Sequence, residues 1–221
     1  MSLRRCVAVE FIGTALLLAV VVGSGIMGER LAGGNVALAL LGNSIATGGG
    51  LAALILAFAP VSGAHFNPAV TMALAGAGRS AWRQAPAYVA AQVTGALVGV
   101  WTAHLMFGVP VVEVSDKLRP GAAMMLSELI ATFGLMITIF GCVRHRPATL
   151  PYAVAVYITA AYWFTASTSF ANPAVTVARS LTNTFAGIRP QDAPGFIAAQ
   201  FAGAGLATAL DRWLYRGPGP D

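Results

Sequence analysis

Apolar positions in this chain run in long blocks rather than in the spaced stripe of an amphipathic surface helix. The blocks cover about 6–27, 36–59, 85–109, 122–143, 149–166 and 195–215. Each is near the ~20 residues that a helix needs to cross the hydrocarbon core of a bilayer. The pattern predicts six membrane-spanning helices. Glycines interrupt several of them, as membrane helices tolerate where neighbours approach closely. The first block follows Met1-Ser2-Leu3-Arg4-Arg5, a charged start like that of a signal peptide. Its apolar core is too long for a signal h-region and no A-x-A site follows, so it is read as the first span.

Two shorter apolar segments lie between these blocks. Asn67-Pro68-Ala69-Val70-Thr71 opens one, and the identical Asn172-Pro173-Ala174-Val175-Thr176 opens the other, roughly half a chain later. Asn is a favoured N-cap and Pro suits the first helical turn, so each pentapeptide starts a helix. The apolar runs at 67–76 and 172–181 are too short to cross. They are expected as re-entrant half-helices entering from opposite faces, which is tolerated only where the backbone is buried in protein or lines a watery cavity. The halves match elsewhere in the same order. Glu10-Phe-Ile-Gly-Thr14 pairs with Glu128-Leu-Ile-Ala-Thr132, and Ala90-Ala-Gln92 with Gly95 pairs with Ala198-Ala-Gln200 with Gly203. An all-α membrane bundle with an inverted internal repeat follows, with repeats at about 5–110 and 122–215 in one domain spanning 1–221.

Composition supports a membrane protein: 57% of residues are hydrophobic and 10% charged, against about 25% charged in a soluble domain. Six spans place both termini on one side, with Arg4, Arg5, Arg79, Arg83, Arg144, Arg146, Arg212 and Arg216. The other side holds Arg30, Lys117, Arg119, Arg179 and Arg189. By the positive-inside rule the termini are cytoplasmic, in a cell's inner (plasma) membrane. The pI near 9.8 comes with no basic run interleaved with aromatics, so no nucleic-acid partner is expected. Cys6 and Cys142 are read as free, small apolar residues, and His65 lacks neighbours at metal-ligand spacing. No metal, cofactor or catalytic set is expected, and the chain is not read as an enzyme.

Together these motifs resemble the aquaporin and aquaglyceroporin family, the major intrinsic proteins. Ser62-Gly-Ala-His-Phe-Asn-Pro-Ala-Val-Thr71 is similar to that family's first signature almost letter for letter. The resemblance implies an aquaporin-like bundle of six tilted helices and two half-helices, assembled as a homotetramer in the lipid bilayer with one pore per subunit. Physically, each half-helix aims about half a positive charge at the midplane. The Asn67 and Asn172 amides can donate to a passing oxygen while cations are repelled. Glu10 and Glu128 sit inside spans, where ionisable groups are costly. The resemblance gives them the structural task of accepting hydrogen bonds from the adjoining half-helix loop, with proton-coupled secondary transport as the rival.

In most of that family an Arg follows the second Asn-Pro-Ala; here the residue is Val175. Family spacing puts the other filter positions at Thr47, Ala160 and Ser169, a quartet with no aromatic and no charge. Arg179, one turn beyond Val175, is placed to return a positive charge to the outer vestibule. A wide, weakly polar filter suits neutral solutes larger than water. The Val-for-Arg pattern resembles a bacterial branch associated with arsenic resistance. The expected function is a passive channel for trivalent metalloid hydroxides such as arsenite and methylarsenite, with glycerol, urea and water as other small neutral passengers. The alternative is a general glycerol or water facilitator.

Overall fold

The computed structural model describes residues 1–215; Arg216, counted above among the basic residues, lies outside them. The described residues form eight α-helices: α1 (Leu3–Leu31), α2 (Val36–Ser62), α3 (Pro68–Gly76), α4 (Ala85–Phe107), α5 (Ala122–His145), α6 (Leu150–Phe164), α7 (Pro173–Arg179) and α8 (Ala193–Leu214). The six long helices fall on the six apolar blocks. Five are long and apolar enough to cross a membrane. The sixth, α6, has 15 residues, or about 22 Å of helix at 1.5 Å per residue. A single turn of 3-10 helix at Pro147–Thr149 leads into it. It stops at Phe164, since Thr165 is extended and the chain then turns into the loop before Asn172.

Lipid tails are as apolar as leucine, so helices in a bilayer are held by close packing rather than by flight from water. The sequence meets this with small residues. A Cβ on Gly95 in α4 would collide with the Phe11 carbonyl oxygen in α1. Gly203 in α8 stands in the same relation to the Leu129 carbonyl oxygen in α5. The two halves therefore repeat one close helix crossing, α1 on α4 and α5 on α8. Bulky apolar side chains point outward instead, among them Ile45, Leu126, Val156 and Leu206.

Both half-helices start in the interior. Asn67 caps α3 and Asn172 caps α7, each with Pro in the first turn. Their C-termini run to opposite faces. Beyond α3, Arg79 meets Asp211 near the end of α8, on the face where α1 begins. Beyond α7, Ser180 accepts from the backbone of Ser115 in the α4–α5 connection, on the far face. α7 ends at Arg179, slightly earlier than expected.

Candidate pore and its lining

The loops before the two half-helices share an unusual backbone. Ala64 and Phe66 have φ of 50° and 48°, and Ser169 and Ala171 have the same values at the equivalent positions. Left-handed conformations cost a residue with a Cβ roughly 1–2 kcal/mol each, so something must hold these loops. It is a buried carboxylate in each half. Glu10 accepts from the Ser62 hydroxyl (2.6 Å), the His65 and Phe66 backbone N–H groups (3.0 and 2.7 Å) and the Gln92 amide (2.8 Å). Glu128 accepts from the Phe170 and Ala171 N–H groups (both 2.8 Å) and the Gln200 amide (2.6 Å). Gln92 and Gln200 donate in turn to Thr71 and Thr176, both at 2.9 Å. Both carboxylates are fully buried and neither lines the central cavity.

The strained loops fix the asparagines. Asn67 Oδ1 accepts from the Ala69 and Val70 N–H groups, and Asn172 Oδ1 from those of Ala174 and Val175. Pro68 and Pro173, having no N–H, leave nothing unsatisfied at the first helical position. The side-chain amides then cross between the halves. Asn67 Nδ2 donates to the Ala171 carbonyl at 2.7 Å, and Asn172 Nδ2 donates to the Phe66 carbonyl at 2.8 Å. An amide nitrogen carries two hydrogens, so each asparagine keeps one donor beyond this cross-tie. Both residues line a central cavity of about 400 Å³. The N-termini of α3 and α7, the positive ends of their helix dipoles, converge on the same region.

The cavity runs from Arg79 and Pro147 on one side to Thr47, Ser169 and Arg179 on the other. Between them its wall is mainly aliphatic, with Val70 and Val175 in equivalent places after the two Asn-Pro-Ala motifs. Of the four proposed filter positions, Thr47, Ser169 and Val175 lie on the cavity wall. Ala160 does not: it is exposed on the outer side of α6, and Ile158 and Tyr162 face the cavity instead. Family spacing failed because the loop between α6 and Asn172 sets its own length. A signal for the right register was present. Leu150, Val154, Ile158 and Tyr162 recur every four residues and all line the cavity, as do Thr47, Leu51, Ile55 and Ala59 on α2.

The lining is therefore neither free of aromatics nor uncharged. Tyr162 and Thr47 join hydroxyl to hydroxyl at 3.2 Å, both buried. Ser169 Oγ is buried without a protein partner, leaving a donor and acceptor for a solute. Arg179 is 2% exposed. Its guanidinium lies 3.4 Å from the Phe170 ring centroid, and its Nε donates to the Ala186 carbonyl. Among the described residues no carboxylate stands within ion-pair distance of it. Arg119, from the α4–α5 connection, lies 5.0 Å from the same ring and donates to the Ser167 and Gly187 carbonyls. No motif or spacing marks Arg119 in advance. The same holds for His104, which is fully buried and ties Val111 to the Thr182 hydroxyl.

Fold and site together define a membrane channel: an elongated central cavity whose middle presents two helix N-termini and two amide donors, with no nucleophile or base arranged for catalysis among the described residues. Comparison with known proteins agrees. The profile of the family described as "MIP: Major intrinsic protein" matches residues 1–150, and the chain belongs to that family. It is 56% identical over 211 residues to the aquaglyceroporin AqpS of Rhizobium meliloti (strain 1021), covering 96% of this chain and 90% of that one. It is 30% identical to the "Probable aquaporin PIP2-8" of Oryza sativa subsp. japonica, covering 98% and 83%. The aquaglyceroporin of Plasmodium falciparum has the same fold, with a TM-score of 0.74 at 22% identity over 97% of this chain and 98% of that one. The protein is thus a multi-pass membrane channel for small solutes and not an enzyme.

Proposed function

We propose that this channel passes trivalent metalloid hydroxides, arsenite and methylarsenite, together with glycerol, urea and water. The observation that carries the reading is Val175, an aliphatic side chain on the conduit wall where most relatives are expected to have Arg. Around it the conduit offers hydroxyl and amide groups, namely Ser169, Tyr162, Thr47 and the two asparagines. Such a lining suits an uncharged solute that carries several hydroxyls and is partly apolar. That the 56% identical relative is an aquaglyceroporin supports solutes larger than water. Arg179, held flat on Phe170, supplies positive charge to the outer vestibule without projecting from the Val175 position. Transport is passive, because both buried carboxylates spend their oxygens on loop backbone and side-chain donors.

Both termini face the cytoplasm in the inner membrane, the two repeats act as inverted halves of one domain, and the functional unit is a homotetramer with a pore in each subunit. A general glycerol or water facilitator is the second reading, favoured by Tyr162, whose ring stands at the level of Thr47. Stopped-flow light scattering on proteoliposomes separates the two. Arsenous acid, methylarsenite, glycerol and water are compared at matched gradients, with and without a proton gradient. Arsenicals crossing no faster than in empty liposomes would leave the facilitator. Uphill accumulation driven by protons would install a coupled transporter instead.

A further inference from the structure

On the face where α1 begins and α8 ends, outside the conduit, lies a second recess of about 390 Å³ lined by Ala77, Arg79, Arg144, Asp211, Arg212 and Tyr215. Among the described residues three guanidinium groups and one carboxylate meet there. Arg79 Nη2 reaches both Asp211 oxygens at 3.1 and 3.0 Å, and Arg144 Nη2 reaches the same two at 3.3 and 3.4 Å. Arg212 donates to the Gly76 carbonyl, the last residue of α3, where the helix dipole offsets part of its charge. Arg144 is further held by stacking, its guanidinium 3.7 Å from the Tyr215 ring centroid, and Tyr215 meets His145 at 3.2 Å. Asp211 is thus divided between two arginines, and the long bonds to Arg144 leave most of that fork unused. The recess carries an excess of positive charge in a half-buried, preformed arrangement.

Guanidinium forks match the oxygens of phosphate in paired hydrogen bonds, and basic pockets between membrane helices suit phosphate headgroups. The depth is right for one. Trp82 packs beside Gly76, and Trp82 and Trp213 are 56% and 72% exposed, as indoles are at the headgroup level of a bilayer. We propose that this recess binds a phosphate group, as the phosphodiester of an anionic lipid or as free phosphate, in the fork of Arg144 with Arg79 and Arg212 completing the charge. Arg79 also lines the conduit, so occupancy reaches the mouth of the pore through one side chain.

The full chain is tested in two arms. Native mass spectrometry counts phosphatidylglycerol against phosphatidylcholine retained from mixed vesicles. Intrinsic tryptophan fluorescence follows the melting midpoint in detergent as inorganic phosphate replaces chloride at constant ionic strength. Preferred retention of phosphatidylglycerol alone assigns the site to lipid, and a saturable rise with phosphate alone assigns it to the free anion; either supports a phosphate site. Arg144→Gln, at the rim of the recess and away from the conduit, should weaken binding about fivefold, the effect of one arginine at a membrane surface. Asp211→Asn should strengthen it by removing the competing carboxylate, a sign that a merely structural ion cluster would not give. No saturable response in either arm, or a response that Arg144→Gln leaves intact, would overturn the proposal, whatever the solute flux.

Discussion

Replacing Glu128 with Gln tests whether a carboxylate holds the pore loop or carries protons. Its two oxygens accept three hydrogen bonds, from Phe170 N, Ala171 N and Gln200 Nε2. Bonds to a charged group contribute about 1.5–3 kcal/mol each, and neutral ones about 1 kcal/mol. In the Glu128→Gln variant the side chain has one acceptor oxygen and one amide. If the oxygen serves Ala171 and Gln200, the amide faces the Phe170 N–H, donor against donor. The loss of charge assistance on two bonds and of the third outright comes to about 3–6 kcal/mol. That is a large part of the roughly 5–15 kcal/mol by which ordinary domains are stable. At about 2–4 °C per kcal/mol for a chain of this size, the melting midpoint should fall by roughly 6–24 °C.

The damage should also reach the conduit. The Ala171 carbonyl is the acceptor that orients Asn67, and Ala171 sits at a φ of 48°, which the Glu128 bond holds in place. Melting followed by tryptophan fluorescence and solute flux in proteoliposomes are measured on the same preparation. The expected result is a lower midpoint together with reduced flux of glycerol and water alike, scaled by the fraction folded. A variant that melts within about 1–2 °C of the parent, less than about 1 kcal/mol, and conducts normally would refute the loop-holding account. An unchanged midpoint with loss only of proton-driven accumulation would point to a coupled transporter.

Val175→Arg should narrow the conduit and lower the passage of glycerol and arsenous acid more than that of water; an unchanged solute-to-water ratio counts against Val175 as a selectivity position. Tyr162→Ala should raise the flux of larger solutes, whereas Ala160→Trp, on the outer side of α6, should leave solute ratios as they are; the reverse outcome would restore Ala160 to the lining. The Asp192 carboxyl is held below its ordinary range: burial would raise it, but the Arg189 side chain, the Arg119 backbone N–H and the Arg189 charge together outweigh that. Its contribution to stability is complete above the usual carboxylate pKa of about 3.9 and is lost as pH falls through the lowered value. Asp192→Asn should therefore lower the melting midpoint at neutral pH, converge with the parent at the acid end and so flatten the acid limb of the profile.

Much of this molecule was legible in the sequence because membrane insertion leaves few solutions. Six apolar blocks and a doubled Asn-Pro-Ala-Val-Thr yield the spans, the half-helices and the pairing of halves without reference to side-chain geometry. The roles of Asn67 and Asn172 follow from capping chemistry. What was not legible depends on register across loops. The lining position on α6 is set by helix phase, which a count back from Asn172 through the non-helical stretch 165–171 cannot preserve. The stripe that ends at Tyr162 does preserve it. Arg119 was out of reach altogether, since nothing local marks a residue of the α4–α5 connection that folds over Phe170 beside Arg179.

The identical pentapeptides also conceal an asymmetry that matters for charge. Each motif is followed by an arginine, but at a different depth: Arg179 comes one turn after Val175, and Arg79 only beyond the end of α3. Both side chains line the same conduit, so positive charge stands near each end as well as at the paired helix N-termini in the middle. The two ends are not equivalent. Arg79 is compensated by Asp211 at 3.0 Å, whereas Arg179 is held by a ring face and a carbonyl, which fix its position without cancelling its charge. A cation entering from the Arg179 side therefore meets a buried guanidinium with no carboxylate of the described residues against it, and one entering from the Arg79 side meets a guanidinium partly offset by the Asp211 that it shares with Arg144. Neutralising Arg179, as in Arg179→Met, should raise cation leak far more than neutral-solute flux, and voltage-clamp current with parallel glycerol uptake measures both. Equal increases in the two would mean that Arg179 only fills space.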